Sequence, residues 1–303
     1  MTKYFQPLIN FGSDPVEDSI FLAESNFWFD KVKILERDKK PILKSSKDIP
    51  KPVIEQICNS FNVCGYKKRP LIMGVLNLSP DSFSSDEICL KSKISNSIQN
   101  LIEDGANIID IGGESTRPNF IEIKPNIEIQ RIKEVFKLIK KKYSDYAISI
   151  DTRKSAVAEY AINKGATILN DVSSLQFDTE TIKVVKKYKC FVCLMHNSGN
   201  GKEIHKKLLG KNYLLEIYDY LLSRINFLVS CGISKSKIII DPGIGFGKSL
   251  SQNLNIISNI SLYHSLGCPI MVGLSRKGFI GKITGEVQPR KRVLSSVILA
   301  FEL

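Results

Sequence analysis

The chain has 303 residues, enough to bury a sizeable core in one large α/β domain or two smaller ones. With 43% hydrophobic and 24% charged residues it is ordinary globular sequence, which excludes disordered, collagen-like and membrane classes. A net charge of +12 favours anionic partners, yet much of it lies on lysine-rich helical text such as KEVFKLIKKKY (133–143); with no nucleic-acid-binding motif present, no nucleic acid partner is expected, and an anionic small substrate accounts for the charge equally well.

In chain order, the N-terminal MTKYFQPLINFGSDP lacks the basic, apolar, small-residue order of a signal peptide, and no run is long enough to span a bilayer. A cytoplasmic protein without a membrane partner is expected. Residues 1–66 read as an appendage or lid of unknown role, with a possible hairpin over FWFDKVKILERDKKPIL (27–43) and Trp28 packed against the body.

From residue 67 to 303 the text alternates short apolar runs with stretches of helical period, the signature of βα units and a parallel sheet. The predicted strands are LIMGVLN (71–77), NIIDIGG (107–113), AISID (147–151), TILND (167–171), CFVCLMH (190–196), KIIID (237–241) and PIMVGLS (269–275). Helical period follows them, for example at 93–105 and at 214–232, where Gly232 supplies a C-terminal cap. The seven cysteines are odd in number and scattered, which argues against a disulfide framework. Cys190 and Cys193 spell CxxC, but three residues apart on a strand they point to opposite faces, so buried structural cysteine is expected rather than a metal or redox pair.

An open doubly wound sheet and a closed barrel both fit this order of elements. The barrel is favoured because polar residues close nearly every strand: Asn77, Asp110, Asp151, Asn170, His196, Asp241 and Ser275 with Lys277. The expected fold is therefore an α/β protein of the (β/α)8 TIM-barrel type. The run IIIDPGIGFGK (238–248) delivers Asp241 to the end of a buried strand, followed by a loop with Gly243, Gly245 and Gly247. That loop is no phosphate cradle, since Pro242 stands where the first glycine of a P-loop belongs, and its glycine spacing fails the dinucleotide fingerprint.

Taken together, GVLNLSPDSFS (74–84), GANIIDIGGESTRP (105–118), SIDTRKSAVAEYAINKGATILNDVS (149–173), LMHN (194–197), DPGIGFGK (241–248) and GLSRKGFIG (273–281) resemble the dihydropteroate synthases, from about Leu71 to the end of the chain. The resemblance implies a (β/α)8 barrel, a transferase of folate biosynthesis that joins 4-aminobenzoate to a dihydropterin bearing a methyl diphosphate and releases diphosphate with Mg²⁺ present. It implies a pterin set of Asp110, Asp151, Asn170, Met195, Asp241, Gly245, Phe246 and Lys277, and an aminobenzoate side of Ser79, Pro80, Phe83, Pro118, Arg276 and Gly278. It further implies that Asn77, Thr116, Arg117 and Lys277 carry the chemistry, with Asn77 at the metal, and that the protein is a possible homodimer. A flat heterocycle edged with donors and acceptors suits such side chains. His205 and His264 lie in helical text and are expected to be surface or packing residues; His196 ends a strand.

The family's barrel closes with a final strand carrying Arg and His toward the diphosphate. The sequence stops at ILAFEL, in the expected helix after the seventh strand, so the eighth strand is expected to be absent from this chain. Two alternatives remain at this point: a methyltransferase-like pterin-binding barrel, and a pterin-binding protein without turnover.

Overall fold

The computed structural model describes residues 2–12, 14–23, 25–67, 70–78, 87–116, 120–199, 203–207 and 210–301. Six short strands come first: β1 (Tyr4–Pro7), β2 (Asn10–Phe11), β3 (Ile20–Phe21), β4 (Phe27–Phe29), β5 (Lys31–Leu35) and β6 (Ile42–Ser45). They pair antiparallel as two small sheets, β1-β5-β6 and β2-β4-β3. The expected hairpin at 27–43 is therefore only partly right. Residues 31–45 form one, whereas Phe27–Phe29 joins the other sheet, because Asp30 separates two runs that pair with different neighbours. After α1 (Lys51–Ile57) the chain reaches the main body. There Tyr4 Oη donates to Asp219 (2.9 Å), Arg37 pairs with the same carboxylate (2.5 Å), and Gln6 donates to Asn259 (3.1 Å).

The body is built from β7 (Met73–Asn77), β8 (Ile108–Gly112), β9 (Ala147–Asp151), β10 (Ile168–Asp171), β11 (Phe191–Met195) and β12 (Ile238–Asp241). Between and after them run α2 (Glu87–Glu103), α3 (Pro125–Lys142), α4 (Ser155–Asn163), α5 (Thr181–Tyr188), α6 (Tyr213–Ser230), α7 (Leu250–Ser258), α8 (Gly278–Thr284) and α9 (Val293–Phe301). The strands are parallel and their spatial order, β12-β11-β10-β9-β8-β7, follows the sequence without reversal. A doubly wound sheet must reverse at a switch point, so this winding is that of a barrel wall.

Strand alternation divides the apolar residues into two cores. Ile109, Ile111, Ile148, Ile150, Val192 and Ile240 bury against helix residues such as Ile132, Phe136, Val157 and Leu221. Ile108, Ala147, Ile168, Phe191, Cys193 and Ile239 face the other way and close on Val63, plugging the barrel interior. Each fully buried isoleucine contributes about 1.5–3 kcal/mol. Cys190 belongs to the outer cluster and Cys193 to the inner, as opposite strand faces require. Among the described residues no helix is long and apolar enough to cross a membrane.

The predicted seventh strand, 269–275, shrinks to a single bridge between Ile240 and Ile270. Two hydrogen bonds hold it, from Ile240 N to Pro269 O (2.9 Å) and from Met271 N to Ile240 O (2.8 Å). The next donor along β12 would be residue 242, which is proline and has no N–H, so the ladder ends there. Ile270 still faces the outer core and Met271 the inner one, so the alternation survives without the ladder.

Candidate active site

Above the apolar plug the inward positions turn polar. Asp110 is the third residue of β8, not its tip, so it sits one layer below the mouth rather than at a strand end. It is buried, accepts from Asn170 Nδ2 (3.1 Å), and its Oδ1 has no partner. Burial pushes its carboxyl upward, while the nearby Ser149 hydroxyl and the Asn170 amide oppose the rise. Asp151 ends β9, pairs in register with Gly112 and Asn170, and is half-buried. Among the described residues its carboxylate has no hydrogen-bond partner. Burial, and then the charges of Asp110, Glu128, Asp171 and Glu114, raise it well above the usual carboxylate range. A Cβ at Gly112 would lie 3.2 Å from Asn77 Oδ1 and 3.7 Å from Asp151 Oδ2, so the missing side chain leaves the two oxygens facing a shared space.

Asp241, across from Met195 in the β11–β12 register, accepts from Gly243 N (2.6 Å). Burial raises its carboxyl, while Lys277, the Gly243 N–H and Lys248 oppose the rise. Lys277 is itself pulled down by burial and held up by Asp241. Its Nζ bonds to the Ile244 carbonyl and lies 4.9 Å from the Phe246 ring centroid, and a Cβ at Gly245 would meet its stem at 3.0 Å. Met195 packs with Val172 and Ile204, with Phe246 against them. The mouth thus joins acceptors, one amide, one ammonium and an apolar wall, which is what a flat polar-edged ring needs.

Two residues at this mouth, Lys248 and Asn253, were not singled out from sequence. Lys248 Nζ donates to the carbonyls of Gly243 (2.7 Å), Phe246 (3.1 Å) and His196 (3.4 Å) and lies 3.2 Å from His196 Nδ1, latching the 243–248 loop. Burial draws this amine down to about 7. It keeps His196 well below the usual histidine value too, with Lys248 adding to that effect, so His196 is a neutral acceptor. Asn253, buried on α7, accepts from Gly245 N (2.7 Å) and donates to the carbonyl of Ser249 (2.8 Å).

His205 departs from expectation. It lies outside the helices, its ring stacks on Phe246 (5.1 Å, 10°), and Nε2 is 2.8 Å from Thr116 O. The loops after β8, β11 and β12 therefore meet at one imidazole. Gly247 makes this approach possible: its φ is +65° and a Cβ there would stand 1.9 Å from Lys206 O. Gly247→Ala is expected to cost about 1–3 kcal/mol through strain and to push the 203–207 segment off Phe246. Loss of the ring-current shift on the His205 protons in NMR spectra would show it; an unchanged shift would refute the contact.

Thr116 is placed by that contact on a half-buried loop, and Arg276 adopts φ 57° just before α8, which starts at Gly278. Ser79, Pro80, Phe83, Arg117 and Pro118 lie outside the described residues.

With this geometry in place, comparison with known proteins is direct. The sequence profile of the pterin binding enzymes matches residues 73–302. The chain belongs to the pterin binding enzyme family. A dihydropteroate synthase of Clostridium beijerinckii is 41% identical over 220 residues, covering 71% of this chain and 77% of that protein. The folic acid synthesis protein fol1 of Pneumocystis carinii is 34% identical over 300 residues, 96% of this chain but only 39% of that longer protein. The dihydropteroate synthase of Xanthomonas albilineans, solved with 4-aminobenzoic acid, superimposes with a TM-score of 0.71 at 33% identity over 77% of this chain and 83% of its own. These relatives, rather than the broader family, show the (β/α)8-type fold and dihydropteroate synthase transferase activity for this chain.

Proposed function

We propose that the mouth binds 6-hydroxymethyl-7,8-dihydropterin diphosphate with its ring against Asp151, Asn170, Asp241 and Lys277, and that 4-aminobenzoate attacks from the side of the loops. The observation that carries this reading is the half-buried Asp151 carboxylate, without a hydrogen-bond partner among the described residues, beside Asn170 and with the unpartnered Asp110 oxygen beneath it. Burying acceptors unsatisfied costs about 1–3 kcal/mol each, which a pterin edge of N–H groups would offset. Phe246 and Met195 supply the apolar wall.

In the reaction the aromatic amine forms a bond to the pterin methylene carbon as the bond from that carbon to the diphosphate oxygen breaks, and the amine loses a proton. No protein nucleophile is needed; the chain must orient the amine and stabilise the leaving anion. Thr116 and Arg117 on the loop after β8, with Lys277, are the candidates for that second task.

A Mg²⁺ ion suits the donor set. Among the described residues no cluster of three His, Cys, Asp or Glu could hold a metal alone. Asn77 offers an exposed amide oxygen beside Asp151, and Mg²⁺ is commonly held by few protein oxygens together with substrate phosphates and water. When bound it would neutralise charge on the departing diphosphate.

Incubation with the pterin diphosphate, 4-aminobenzoate and Mg²⁺ is expected to release diphosphate and form 7,8-dihydropteroate. Chelating the metal should abolish turnover and leave affinity for 6-hydroxymethyldihydropterin, which lacks phosphates, within about twofold, since the metal's ligands are then absent. Pterin binding without diphosphate release under any metal condition would overturn the reading.

A further inference from the structure

The proposed function leaves one cluster of buried charges unused. Glu114, Glu128, Arg153 and Lys154 are each less than a tenth exposed and form one cluster between β8, α3 and the β9–α4 turn. Lys154 Nζ bridges Glu114 Oε2 (2.6 Å) and Glu128 Oε2 (2.7 Å), and Arg153 reaches Glu114 Oε1 (3.2 Å). Arg153 is further clamped by Phe177 and Phe120, at 4.0 and 5.0 Å from their centroids. Two carboxylates and two cations balance, but such a cluster gains little over apolar packing of the same volume, so stability alone is a weak reason to build it.

Its placement suggests the better reason. Glu114 begins the loop after β8, two residues before Thr116, and its Oε2 also accepts from the backbone N–H of Ile123 near the loop's other end (2.8 Å). One carboxylate thus ties the two ends of the 114–123 loop together and fixes both to Lys154 and Arg153. Arg131 adds a bond to Gly113 O (2.8 Å) at the same base. Glu128, by contrast, touches Lys154 from α3 and holds no part of the loop.

We infer that Glu114, seated on Lys154 and Arg153, is a positioning residue that fixes the two ends of the 114–123 loop, and with them Thr116, at the height of the diphosphate. The inference rests on the proposed function for the identity of the anion the loop meets and for the seat of the pterin ring. The pterin ring is bound by other strands, so loosening the loop should cost the diphosphate and spare the ring.

Glu114→Gln is expected to weaken binding of the pterin diphosphate about ten- to hundredfold, as small misplacements of a binding group do, while the affinity for 6-hydroxymethyldihydropterin changes less than about twofold. Calorimetric titration reads both and needs no turnover, so an inactive wild-type protein would refute the proposed function and leave this comparison readable. Glu128→Gln removes the same charge from the same cluster without touching the loop and should leave the ratio of the two affinities unchanged. Should Glu114→Gln fail to fold, Glu114→Asp keeps the charge but shortens the reach to Ile123, and should show the same split in smaller measure. Equal loss of both ligands, an unchanged ratio, or the same split in Glu128→Gln would each overturn the inference.

Discussion

Asp151→Asn is expected to make the protein more stable at neutral pH and nearly unable to hold a pterin. The carboxylate sits half-buried among Asp110, Glu128, Asp171 and Glu114, whose charges follow burial in pushing its proton affinity up. A carboxyl raised above its unfolded value of about 3.9 favours the folded state below that pH, and the advantage is lost as pH rises through the folded value. As pH rises through the folded value the wild-type chain comes to carry the penalty of an enclosed charge among other carboxylates, and the neutral amide relieves it. A gain of about 0.5–2 kcal/mol is usual when a site is freed of functional strain. Urea unfolding should show the gain at pH 7 and its disappearance toward pH 4. The same change replaces one of two acceptor oxygens by a donor, so pterin affinity should fall by about 1.5–3 kcal/mol, the worth of a hydrogen bond to a charged group. Lower stability at pH 7, or unchanged affinity by calorimetry, would refute the role given to Asp151.

The contrast between what sequence showed and what it hid follows from the range of the contacts. Asp151 and Asp241 were legible because each ends an apolar run, and the end of a strand is a local fact. Asp110 was legible as polar, but its depth depended on where β8 stops, two residues later at Gly112. The seventh strand kept its alternation and lost its ladder to a proline on its neighbour, which no inspection of 269–275 alone reveals. Glu114, Arg153, Lys154 and Glu128 read singly as solvated charges on loops and a helix; their pairing spans separations of 26 to 40 residues. His205, set among lysines that mimic helical period, meets a carbonyl 89 residues away. Contacts of that kind are decided by how the strands, helices and loops pack together, not by any one stretch of the chain.

The Lys248 amine provides the other large effect, and its sign changes the usual expectation for a buried lysine. Burial brings it down to about 7, with Asp241 holding it up and Lys277 adding to the fall. Unfolded lysine keeps its proton to about 10.4, so between those values the unfolded chain binds more protons and stability rises with pH. Below about 7 both states are protonated and the folded protein bears the whole cost of an enclosed ammonium. Lys248→Met removes that cost at every pH, but also strips a donor from the carbonyls of Gly243, Phe246 and His196. Each carbonyl left unpaired costs about 1–3 kcal/mol. The variant should therefore be less stable than wild type, and the deficit should be larger at pH 9, where the native amine is neutral, than at pH 6. Paired denaturation curves at the two values measure this; equal deficits would mean that the amine stays charged across the range. The loop that Lys248 latches also presents Gly245 and Phe246, so pterin affinity should fall about tenfold or more in the variant. Gly247→Ala should lower pterin affinity to a similar degree, because both changes release Phe246 from opposite sides, Lys248 through the Phe246 carbonyl and Gly247 through His205.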